Sequence, residues 1–171
     1  GDNIYPVKPI EKLMEAADKL SALFREKKIH VSVAGGGPSS AEVAGNVWQL
    51  ARKIRGHMPD ITIFAGKQFM ARFPESVRTR VIRNLTSRGI QLDETGYIQS
   101  VEPNRIVLET GSEKATDFVF VALGVHPSSL FSDSGLSTGP DRGLLVNRYL
   151  QSVDDPDIFG GGDCIHFKEQ P

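Results

Sequence analysis

Gly35, Gly36 and Gly37, followed by Pro38, Ser39, Ser40 and the lone carboxylate Glu42, are the residues of this chain whose types and spacing point most directly to chemistry. The stretch VAGGGPSSAEVAG, Val33 to Gly45, holds four glycines and two serines and very little side chain. Such a backbone can approach a partner closely. Exposed amides at a helix start attract an anion, so the partner this composition suits is a pyrophosphate. In a dinucleotide fingerprint the first glycine permits a tight turn, the second lets phosphate approach, and the third lets helix pack on strand. Those places fall on Gly35, Gly37 and Ser40, the last a departure that adds a hydroxyl while staying small. A glycine-rich turn that holds no ligand is the alternative at this level.

The elements that must position this turn are legible on both sides. IHVSVA alternates Ile29, Val31 and Val33 as a strand does, and Val43, Val47, Leu50 and Ile54 give a helical stripe that Gly56 and Pro59 stop. DITIFAG is a second strand, so Ile29 to Phe64 forms one strand, helix, strand unit of dinucleotide-binding length, with parallel strands. Before it, YPVKP resists regular pairing, and Ile10, Leu13, Ala17, Leu20 and Phe24 predict an amphipathic helix. After it, Val77, Val81 and Leu85 predict a further helix ended by Gly89, and GIQL a third strand. YIQSV, RIVLE and DFVFVALG, separated by turn-rich EPN and TGSEKAT, predict an antiparallel meander leading to a buried strand. SSLFSDSGLSTGPDRG reads as a loop or junction, and GLLVN and DIFGGGD as two short strands of something larger.

Composition narrows the function. The 171 residues suffice for one domain plus a piece of a second, and 21 acids against 20 bases give no field that would recruit nucleic acid. RKIR and RTRVIR lack the interleaved aromatics that stack bases and read as solvated helix faces. The single cysteine, Cys164, excludes a CxxC pair within the chain and reads as a small apolar filler. No apolar run approaches a membrane span and the N-terminus lacks a signal-peptide layout, so the expected location is cytoplasmic. His30, His57, His126 and His166 share no ligand spacing, and Asp154, Asp155 and Asp157 read as turn chemistry, so no metal is expected.

GGGPSSAEVAG resembles the NAD(P)H-binding motif of the pyridine nucleotide-disulfide oxidoreductase superfamily, most of all its type II NADH dehydrogenase and NADH:quinone reductase branch. Two further motifs agree in order. Asp117, Ala122, Gly124 and Pro127 match the segment ending the nicotinamide domain, and Gly143, Val146, Ile158, Phe159, Gly162 and Asp163 match the return into an FAD-binding domain. The resemblance implies an α/β fold: a Rossmann-like parallel sheet flanked by helices, with a three-stranded β-meander and a C-terminal piece of an FAD domain. It divides the chain into residues 1–131, which bind NAD(P)H, and 132–171, which return to an FAD domain missing from the chain. No second glycine-rich turn precedes Val33, so the chain is read as an excised middle, inactive alone.

Residue by residue, the resemblance assigns NAD(P)H to Gly35, Gly36, Gly37, Pro38, Ser39, Ser40, Ala65, Lys67 and Gly124. It assigns FAD, in the parent protein, to Gly162 and Asp163, and gives Glu42 the task of orienting the nicotinamide; a dipole-favoured glutamate at a helix start is the alternative for Glu42. NAD-preferring members carry an acid at the end of the second strand. That place falls at Ala65, with no acid at Gly66 and with Lys67 next, which predicts tolerance of a 2'-phosphate. In the parent, electrons would pass from nicotinamide to flavin and on to a quinone, oxygen or an iron-sulfur protein. The resemblance leaves room for a homo-oligomer, and for peripheral membrane association only through regions outside this chain. A flavin monooxygenase NADP domain and a stand-alone nucleotide-binding module are the rival readings.

Overall fold

The computed structural model describes residues 3–124 and 127–167. The chain falls into two compact units, Gly1–Gly124 and Val125–Pro171. His126 lies outside the described residues.

In chain order the first unit comprises β1 (Ile4–Pro6), α1 (Glu11–Glu26), β2 (His30–Ala34), α2 (Pro38–Lys53), β3 (Asp60–Phe64), α3 (Glu75–Thr86), β4 (Gln91–Asp93), β5 (Ile98–Glu102), β6 (Arg105–Leu108), β7 (Glu113–Ala115) and β8 (Phe118–Val121). Five of the strands form one parallel sheet in the order β1-β8-β2-β3-β4. From β2 the chain winds outward through β3 to β4, then returns to the other side of β2 as β8. That places β2 at the switch point, where open α/β sheets leave a crevice beyond the carboxyl ends of their strands.

Because β2 is central, Val31, Ser32, Val33 and Ala34 are all buried, and the expected alternation between core and solvent gives way to burial on both faces. Val31 and Val33 join Ile61, Ile63, Phe118 and Phe120 in a cluster under α1, α2 and α3. Ala34, Phe64 and Val119, on the other face, pack against Ile106 and Leu108 of the meander. Helices thus cover one face and the meander the other. Buried Ser32 of β2 is satisfied, its Oγ donating to Oγ1 of the equally buried Thr116, just before β8, at 2.8 Å. Asp117, singled out in the sequence as a motif residue, ties the strand starts together: its carboxylate accepts the His30 N–H at 2.8 Å and its own N–H donates to the His30 carbonyl at 2.9 Å.

Several local expectations shift. In α1 the fully buried stripe is Ala16, Leu20 and Phe24, while Ile10 stands outside the helix at 69% exposure. YPVKP, expected to resist pairing, supplies β1, because an edge strand tolerates Pro6 at its end. The third meander strand is β7, cut from TGSEKAT, whereas DFVFV leaves the meander as β8 of the parallel sheet. The expected EPN turn is present, with Asn104 at φ 69°.

The second unit holds α4 (Leu130–Asp133), β9 (Leu144–Val146) and β10 (Ile165–Phe167), the two strands paired in parallel. DIFGGGD is not a strand. Phe159 makes a single bridge to Gln151, and Gly160 passes so close that a Cβ would lie 2.5 Å from Ile165 Cγ2. Asp155 accepts the Asp157 N–H at 2.9 Å, which is the expected turn chemistry, whereas Asp154 departs from it and accepts from Ser137 Oγ at 2.9 Å, seventeen residues away. Among the described residues no helix is long and apolar enough to cross a membrane.

Candidate dinucleotide site

Beyond the carboxyl end of β2 the three glycines meet three different demands. Gly35 sits at φ 143°, and a Cβ there would stand 2.3 Å from the Ala122 carbonyl oxygen. Its N–H donates to the Phe64 carbonyl at 3.0 Å, so the turn is pinned between β3 and the end of β8. A Cβ on Gly36 would stand 2.5 Å from the Ala65 carbonyl oxygen, and the Gly36 carbonyl accepts the Met70 N–H at 2.7 Å. Gly37, by contrast, has an ordinary φ of −92° and nothing within 4 Å of an added Cβ. Packing demands the first two glycines; only the third faces open space.

That open space lies over the start of α2. Gly37 is the N-cap, Pro38 fills the first helical position where a missing N–H costs nothing, and no side chain caps the helix. An uncapped N-terminus beneath a side-chain-free cradle is what a pyrophosphate needs, since the first-turn amides and the helix dipole both favour an anion. The residues present therefore fit the phosphates of a dinucleotide. Pro38 and Ser39 are exposed at the rim, whereas Ser40 is fully buried against Gly35 with its Oγ lacking any hydrogen-bond partner. Ser40 thus fills the packing place of the third glycine.

Glu42 lies in the second turn of α2, whose first turn carries no acid. The dipole alternative loses its basis there, because that effect fades beyond the first turn. The carboxylate is exposed. Gly124, at φ 106°, follows β8 and leaves its surroundings open.

At the end of β3, Ala65 is 7% exposed and belongs to the helix-side core, its N–H donating to the Asp93 carbonyl at 2.8 Å. Lys67 is exposed, with Nζ 5.9 Å from the centre of the Tyr97 ring. Two carboxylates stand near this strand end, and both are engaged. Asp93 accepts from the Thr95 N–H at 3.0 Å and lies 3.8 Å from Lys114 Nζ, and Glu94 accepts the Phe69 N–H at 2.6 Å. Sequence reasoning missed this bracing of the loop after β3, to which Arg78 Nε adds a bond to the Phe69 carbonyl at 2.8 Å. The partners are separated along the chain by up to 25 residues, and no local pattern announces them.

Gly162 and Asp163 lie in the second unit, in a single 3-10 turn spanning Gly162–Cys164. Asp163 is exposed. Cys164 is half-buried, and its thiol donates to the Gly161 carbonyl at 3.1 Å. His166 Nδ1 lies 3.2 Å from Asp141 Oδ2, and His30 Nε2 lies 3.7 Å from Asp60 Oδ2. The Gly143 N–H at 3.0 Å and then the His166 imidazole hold the Asp141 carboxyl below its ordinary value.

The family model described as "Pyridine nucleotide-disulphide oxidoreductase" matches residues 7–171. An internal alternative NAD(P)H-ubiquinone oxidoreductase A1 of mitochondria from Arabidopsis thaliana is 24% identical over 152 residues, 85% of this chain and 30% of the relative. A type II NADH:quinone oxidoreductase from Haemophilus influenzae is 26% identical over 152 residues, 83% of this chain and 34% of the relative. This chain therefore spans about a third of the length of these relatives. Among solved structures, an NAD-dependent persulfide reductase from A. fulgidus superposes with a TM-score of 0.76 at 22% identity, over 96% of this chain and 29% of that one.

Proposed function

The chain belongs to the pyridine nucleotide-disulphide oxidoreductase family, and from that premise we propose that it is the NAD(P)H-binding domain of an FAD-dependent oxidoreductase that passes electrons to an acceptor such as a quinone. One observation carries the reading: an uncapped helix N-terminus under Gly37, with open space where a side chain would stand and with Gly35 and Gly36 locked behind it. The relatives' names, NAD(P)H-ubiquinone and NADH:quinone oxidoreductase, support the same substrate classes.

In this reading the α2 amides hold the pyrophosphate, and the sheet order supports one direction for the rest. The nicotinamide half extends toward β8 and Gly124, and the adenosine half toward β3 and β4. Glu42, exposed one turn into α2, orients the nicotinamide carboxamide as a positioning residue. Flavin, when bound in the full-length protein, supplies the hydride acceptor. Gly162 and Asp163 would face that flavin, together with a domain outside this chain.

At the ribose, no acid stands at Ala65 or Gly66 to bond a 2'-hydroxyl and repel a 2'-phosphate, and of the nearby carboxylates Asp93 is paired with Lys114 and Glu94 is turned onto the Phe69 N–H. NADPH is accordingly accepted at least as well as NADH, with Lys67 the cation in reach. Calorimetric titration of the chain with NADH and NADPH at one salt concentration tests the proposal. Binding of both in the micromolar range is expected; no binding of either would overturn it.

A further inference from the structure

Tyr97 is one of the few large side chains of the first unit left half in solvent, at 51% exposure, and its surroundings give that exposure a purpose. It precedes β5, and the antiparallel bridge between Gly66 and Gly96 brings it to the carboxyl edge of the sheet, beside the end of β3. There the Cδ1–Cε1 side of the ring rests on Gly66, where a Cβ would come within 2.6 Å of both carbons. Gly66 is at φ 76°, so conformation and packing both require glycine, and the ring is held on backbone instead of on a flexible neighbour. Lys67 Nζ lies over the ring at 5.9 Å from its centre, the outer limit of a cation–π contact, and half of the tyrosine side chain is in solvent.

The strand order gives this ring an address. Gly37 follows β2, Ala65 and Gly66 follow β3, and Asp93 ends β4 with Tyr97 four residues beyond it, so the three positions run in sequence along one edge. A dinucleotide with its pyrophosphate over Gly37 and its ribose beside Ala65 carries its purine base onward in the same direction. The base then reaches Tyr97. A half-exposed aromatic ring braced on the backbone at Gly66, next in order along that edge, is a stacking platform, and a purine presents the matching π-face.

We infer that Tyr97 is the adenine platform of the site, with Lys67 beside it. This rests on the dinucleotide reading above, and the two can be told apart by ligand halves. NADH, ADP-ribose, which carries the adenine half, and reduced nicotinamide mononucleotide, which lacks it, are titrated against wild type, Tyr97→Phe, Tyr97→Leu and Tyr97→Ala. Tyr97→Ala is expected to weaken NADH and ADP-ribose about tenfold and to leave the mononucleotide within about twofold. Tyr97→Phe keeps the ring and stays near wild type. Tyr97→Leu refills the space over Gly66 without a π-face and should behave as alanine does; if leucine restores affinity, the ring is only packing and the inference is wrong. Wild-type binding of ADP-ribose with no loss in Tyr97→Ala also overturns it, while the dinucleotide reading stands. Failure of wild type to bind any of the three overturns both.

Discussion

Replacing Ser40 by alanine should make the protein more stable, against the usual direction of a substitution in a buried helix start. The Ser40 side chain has no exposure, and its Oγ finds no hydrogen-bond partner among the described residues. It occupies the space beside Gly35, where an added Cβ would stand only 3.0 Å from the hydroxyl oxygen. A buried hydroxyl left unpaired forfeits about 1–3 kcal/mol of hydration. Alanine keeps the Cβ and the packing of α2 on the turn and gives up only the dispersion contacts of one oxygen, a few tenths of a kcal/mol. The net gain is about 1–2 kcal/mol. For a protein of this size that raises Tm by about 4 °C. Urea unfolding followed by the fluorescence of Trp48, the single tryptophan, reads the change as a higher midpoint at constant slope. Ser39→Ala on the exposed rim serves as the control, within about 0.5 kcal/mol of wild type. Dinucleotide affinity should not move in Ser40→Ala, because the hydroxyl is sealed behind Gly35. A loss of stability would refute the reasoning, since it would mean that the hydroxyl has a partner worth more than its burial costs.

Gly37→Val should abolish NADH binding in calorimetry and leave the far-UV circular dichroism unchanged, because its φ suits any residue and its side chain would fill only the phosphate space. Gly35→Ala should instead destabilise the fold by more than about 2 kcal/mol in urea, since a Cβ at 2.3 Å from the Ala122 oxygen forces the backbone apart. Lys67→Glu should shift preference toward NADH when both nucleotides are titrated at one salt concentration. It is a cleaner test than an acid at Ala65, which would have to be buried. The purified chain should be colourless and retain no flavin absorbance after desalting. The Asp141 carboxyl, lowered by the Gly143 N–H and His166, contributes stability that is present above the unfolded value of about 3.9 and is lost as pH falls through the lower folded value. A carboxyl titration by NMR with a midpoint at or above about 3.9 would contradict that.

The β2, α2, β3 unit and its glycine turn were legible in the sequence because each depends on neighbours within a few residues. Alternation makes a strand, a stripe at three- and four-residue spacing makes a helix, and glycine followed by proline marks the helix start. The α/β class follows from repeating those signals, and the lack of an acid at Ala65 needs only counting. What the sequence left open concerns partners. Val119 of β8 pairs with Ser32 on one side and Ile4 on the other, across separations no window spans. Strands of three residues, such as β7 and β10, are too short to show a period, and they exist because a neighbour distant in sequence offers its edge. The same non-locality governs the site. Whether Ser40 finds a partner, whether Ala65 faces core or solvent, and whether Tyr97 rests on Gly66 are decided by which surfaces the folded sheet brings together. Burial and hydrogen-bond satisfaction are properties of that arrangement, and the residue types alone do not carry them.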